Sequence, residues 1–77
     1  MKNCFNHPKW TAWLMKDYVS VRKPGARVVV NLATDPEYIV DDSIDDVKCS
    51  HKEAVKAVEN MVDMPFNRFL TYLKARL

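Results

Sequence analysis

The chain has 77 residues and a net charge of +2 at neutral pH, with 48% hydrophobic and 29% charged residues. This length holds one domain. The composition excludes a disordered chain, which needs low hydrophobicity and high net charge, and a low-complexity or fibrous one.

No apolar run nears the roughly 20 residues that a membrane helix needs, so no membrane partner is expected. The start, Met1-Lys2-Asn3-Cys4-Phe5-Asn6-His7-Pro8, lacks the apolar stretch of a secretion signal. Cys4 and Cys49 are too few for a disulfide-stapled scaffold and fit thiols in a reducing compartment. The expected location is therefore cytoplasmic. Charge is laid out in blocks. Residues 1–30 and 64–77 are rich in Lys and Arg, whereas 31–63 hold nearly all the acids. Such blocks predict surface patches that steer encounters.

Pro8 suits the first turn of a helix. From there to about Val21 the residues Trp10, Trp13, Leu14, Tyr18 and Val21 recur at helical spacing, with Asp17 as a blemish in that face. Ala12, Met15 and Val19 make a second stripe, so the expected helix is apolar on two sides and meets a partner or is sandwiched. Lys23-Pro24-Gly25 marks a turn. Residues 26–32 read as a β-branched strand. Thr34-Asp35-Pro36-Glu37 reads as a turn, and Tyr38-Ile39-Val40 as a second strand pairing with the first. A lone hairpin is unstable in water, so it is expected to pack on helices or extend across a homodimer.

An acidic, exposed connection at 41–46 follows. Ser50 and Glu53 fit a capping box opening a helix whose face is Ala54, Ala57, Val58, Met61 and Val62. Asp63-Met64-Pro65 interrupts it, since proline has no N–H for the preceding turn. A last helix from about Pro65 to Ala75 carries Phe66, Phe69, Leu70, Leu73 and Leu77. The order helix, strand, strand, helix, helix predicts one small α+β domain over residues 1–77, a β-hairpin packed on helices.

The stretch from Val58 to Lys74 resembles the helix-turn-helix motif of DNA-binding proteins, with Asp63 where glycine is usual. The resemblance implies that Asn67, Arg68, Thr71 and Lys74 reach bases and phosphates from a major-groove helix. The plain alternative is a helical hairpin burying its aromatic stripe. Cys4, His7, Cys49 and His51 supply the ligand types of a zinc site, but one residue between Cys49 and His51 is tighter than the usual spacing. Catalysis has little support. A Cys49–His51 dyad would draw both groups from one segment, there is no G-x-S-x-G, and the acids at 41–46 lack the glycine and final Glu of an EF-hand.

The expected function is thus a non-catalytic adaptor or inhibitor that occupies a protein partner, without a cofactor. Its contacts would be Trp10, Trp13, Met15 and Val19 on the first helix, with Asp41, Asp42, Asp45 and Asp46. The alternative is a DNA-binding regulator using the last two helices. Small size and few glycines also fit accessory proteins of phages and mobile elements.

Overall fold

From Tyr18 to Arg22 valine alternates with polar residues at period two, the pattern of a strand with one face covered and one face open, and a three-valine run follows at 28–30. The computed structural model describes residues 3–77; Met1 and Lys2, which open the polar start, lie outside them. Six strands pair in sequence order, all antiparallel: β1 (Cys4–Asn6), β2 (Thr11–Leu14), β3 (Tyr18–Lys23), β4 (Ala26–Asn31), β5 (Ser43–Ile44) and β6 (Val47–Lys48). Two helices follow, α1 (His51–Val62) and α2 (Phe66–Arg76). The α+β class expected from the sequence stands. The order of elements before residue 50 does not.

The expected helix over 8–21 is instead β2, a tight turn and most of β3. Asp17, the blemish in the helical face, sits in that turn, where the Met15 amide donates to the Tyr18 carbonyl at 2.9 Å. The β-branched and aromatic run Tyr18-Val19-Ser20-Val21 favours the pleated state. Pro8 occupies the β1–β2 turn, around which His7 and Trp10 exchange backbone hydrogen bonds of 2.9 and 3.3 Å. The expected Pro24-Gly25 turn joins β3 to β4, with Gly25 at φ +82° as a proline-then-glycine turn requires.

The expected strand at Tyr38-Ile39-Val40 is also absent. Pro36–Tyr38 forms a short 3-10 turn started by Asp35, whose side chain accepts from the Glu37 amide. Pro36 has no N–H for a ladder. Strand β4 pairs instead with Ser43–Ile44, inside the segment expected to be an exposed acidic connection. Asp45 and Asp46 make the β5–β6 turn at φ +51° and +67°, the left-handed pair that a two-residue hairpin turn needs.

Both helices cover the same side of the sheet. Val19 faces Val30 and Val21 faces Val28 across β3 and β4, and all four are buried. Against them lie Ala54, Val58 and Val62 of α1 and Phe69 and Leu73 of α2. Each of these valine, leucine and phenylalanine side chains contributes about 1.5–3 kcal/mol relative to exposure. Trp10, 3% exposed, joins the first hairpin to the last helix. Its ring meets Phe69 edge-on at 5.5 Å, Phe5 at 5.7 Å and Tyr72 at 6.2 Å, and His7 stacks on it at 4.6 Å.

The helices begin and end as the sequence suggests. Ser50 caps α1 by accepting from the Glu53 amide at 3.2 Å. Asp63 closes α1 in the left-handed conformation, its amide bonded to the Glu59 carbonyl. The Glu59 carboxylate then accepts from the Phe66 amide at 2.8 Å and so supplies an N-terminal cap for α2 from the neighbouring helix. Asp63 carries a side chain at φ +57° and a negative charge at a helix C-terminus, both unfavourable. Asp63→Gly is expected to stabilise the fold by about 0.5–1 kcal/mol, read as a higher urea midpoint at unchanged slope.

Candidate functional site on the helix-free face of the sheet

The register that buries the valines turns their neighbours to the other side. Across the strands, Cys4, Trp13, Ser20, Val29 and Ser43 form one row, and Asn6, Thr11, Arg22 and Arg27 the next. Tyr18 pairs with Asn31 in a third. Among the described residues no helix lies over this face; α1 and α2 both pack on the valine side. Trp13, Tyr18 and Val29 are half-buried in the helix-free face, Ser20 is sunk to 5% exposure, Arg22 and Arg27 are exposed, and Lys23, of the valine parity, reaches the same grooves from the exposed end of β3.

Two open grooves of about 700 Å³ each share Trp13, Arg22 and Lys23. One is also walled by Met15, Tyr18, Arg27 and Asp45, the other by Asn6, His7, Lys9 and Thr11. Arg22 and Arg27 are direct cross-strand partners. Like charges held opposite one another on a sheet are destabilising. Among the described residues the basic side chains in contact with carboxylates are Lys48 with Asp41 at 2.9 Å and His51 with Asp42 at 2.8 Å, and neither engages this cluster. Asp45 is the acid beside it, and its carboxylate accepts from the Arg27 backbone amide at 2.9 Å.

The residues singled out from the sequence are scattered. Trp10 and Val19 are core side chains, so they offer no contact surface; the two-sided helix that suggested them does not form. Trp13 and Met15 do reach the helix-free side, Met15 at its edge. Asp41 is exposed and paired with Lys48, and Asp45 and Asp46 stand on the hairpin turn. Asp42 departs from the expected exposed acidic run: it is 8% exposed. One of its oxygens accepts from the Asn31 amide and the other meets His51 Nδ1 at 2.8 Å. Its carbonyl accepts from the Cys49 amide at 3.2 Å. This carboxylate thus ties the end of β4, the start of β5 and the first residue of α1 together.

Cys4, His7, Cys49 and His51, the residues of zinc-ligand type, are not gathered: among the described residues no three His, Cys, Asp or Glu side chains form a metal cage. Cys4 lies on β1 beside Arg76 and Leu77. His7 stacks on Trp10, and His51 is held by Asp42. Partial burial raises the Cys49 thiol above its ordinary pKa, and the nearby carboxylates of Asp42 and Glu53 add to the rise. Since the thiolate is the attacking species, this works against a Cys49–His51 dyad.

Asn67, Arg68, Thr71 and Lys74 are all exposed on α2, as the sequence suggests, and the Thr71 hydroxyl donates to the Asn67 carbonyl at 3.0 Å. Sequence reasoning missed Tyr18, Arg22, Lys23, Arg27 and Val29. The signal was present: Tyr18, Ser20 and Arg22 share one parity, as do Arg27, Val29 and Asn31, and the buried valines hold the other. No protein-family model, curated protein or solved structure matches the chain.

Two outcomes check this geometry. Asp42→Ala leaves the Asn31 amide without its partner and is expected to cost about 1–3 kcal/mol in chemical denaturation. In a Cys4→Ser background, Cys49 should react with iodoacetamide at pH 8 more slowly than an unfolded cysteine. The difference should close as pH rises past the folded thiol pKa, as quantified by mass spectrometry.

Proposed function

We propose that the chain is a non-catalytic binding protein, an adaptor or inhibitor that acts by occupying an anionic partner with the helix-free face of its sheet. The observation that carries this is the cross-strand pair Arg22–Arg27 beside Trp13, cationic and without carboxylate partners among the described residues. A fold tolerates like charges opposite one another at a cost, and an anionic partner offsets that cost. Trp, Tyr, Met and Arg, the residue types that anchor interfaces, all lie on or beside this surface.

A second reading, duplex DNA held by α2, has its own support in the exposure of Asn67, Arg68, Thr71 and Lys74 on one helix after a tight interhelical break. Affinity capture from native lysate separates the two. Trp13→Ala with Arg27→Ala should remove captured partners at least tenfold while the double variant Arg68→Ala, Lys74→Ala retains them. The reverse pattern would move the site to α2, and retention in both variants would end both readings.

A further inference from the structure

This inference rests on the helix-free face being the contact surface, and it names what sits there. We propose that the face is a single-strand nucleic-acid platform, with bases stacked on Trp13 and Tyr18 and phosphates held by Arg22, Lys23 and Arg27.

The chemistry of the face supports each half. Trp13 pairs with Ser20, and Tyr18 lies two residues before Ser20 on the same side of β3, so the two rings are diagonal neighbours. That diagonal spans about 7–8 Å, which lets successive unstacked bases each take a ring. Stacking on aromatic side chains is available to every base and needs no base-edge contact. Three exposed cations gather at one end of the aromatic stripe, and Lys9 extends the cationic wall along the second groove, which shares Trp13, Arg22 and Lys23. Asp45, the acid at the rim, already spends its carboxylate on the Arg27 amide.

The acidic segment 41–46, whose charge opposes phosphate, is largely occupied elsewhere. Asp42 is buried with Asn31 and His51, and Asp41 is paired with Lys48. A duplex fits less well, because its base faces are hidden and the helices that could enter a major groove are on the opposite side of the sheet. An acidic protein would also satisfy the arginines and could bury the rings, but the diagonal spacing of two rings beside a row of cations matches the repeat of base and phosphate along a single strand.

The test uses the full chain and a 15-mer of deoxythymidine, followed by tryptophan fluorescence. At 50 mM salt the oligonucleotide should quench Trp13, whereas Trp10 is shielded in the core. The plot of log affinity against log salt should have a slope of about −2, as expected for three phosphates on a single strand. Trp13→Ala should weaken binding about tenfold, consistent with loss of one stacking platform. Because Trp13 is half-buried, Arg22→Glu at an exposed site is the second variant. It should cut affinity by at least as much and leave the circular dichroism spectrum unchanged.

Several results would overturn the inference: no quenching, equal binding of a 15-base-pair duplex, equal competition by polyglutamate, or loss of binding on Arg68→Ala with Lys74→Ala instead. If the oligonucleotide fails while lysate capture survives nuclease and still depends on Trp13 and Arg27, the contact face stands and its occupant is a protein. If both fail, the face itself is wrong.

Discussion

The register between β3 and β4 is the constraint on which the rest of the molecule depends. Val19 opposite Val30 and Val21 opposite Val28 place four branched side chains on one side of the sheet. A slip of one residue would turn one strand's pair of valines to solvent and put its arginine, Arg22 or Arg27, on the covered side, which burial of unpaired charge forbids. The short turn through Pro24 and Gly25 fixes the same register from the connection side. The opposition of Arg22 to Arg27 is therefore a by-product of core formation. An acid on β1 or β2 would relieve it, yet Asn6 and Thr11 fill those places in the row.

Two further ties hold the covered side. Trp10 closes one end of the core by bringing the β1–β2 turn against Phe69 and Tyr72 of α2. Asp42 holds the other end, where β4, β5 and α1 meet. The first tie is apolar and gains from buried aromatic area. The second is polar and stands because both carboxylate oxygens have partners, which is the condition for burying such a group. Neither tie lies on the helix-free face, so that face can vary or bind without loosening the core.

The sequence made the C-terminal half legible and the N-terminal half deceptive. Ser50, the spacing of Ala54, Val58 and Val62, and the Asp63-Met64-Pro65 break each have a local physical meaning that tertiary structure did not override. Among residues 8–21, two short strands and a turn happened to set Trp10, Trp13, Leu14, Tyr18 and Val21 at helix-like intervals. The β-branched content of β3 and the placement of Asp17 were the better guides. Tyr38-Ile39-Val40 has strand-like side chains but follows Pro36, and its segment never meets a ladder. Asp42 was indistinguishable from its acidic neighbours in sequence, because only the fold decides which of them is buried. The candidate face suffered most from the helix misreading. Arg22 and Arg27 become neighbours only once β3 and β4 are recognised as paired strands.

The meander has a kinetic consequence. Every strand pairs with the next one in the chain, so the sheet has low contact order and its hairpins can form independently and early. The aromatic pocket differs: Trp10 waits for Phe69 and Tyr72, almost the whole chain away. During synthesis the valine side of a formed sheet would stay wet until α1 emerges to cover it, and the core would stay open at the Trp10 end until α2 follows. The interval between the first hairpin and the last helix is thus the period in which this protein is most exposed to aggregation.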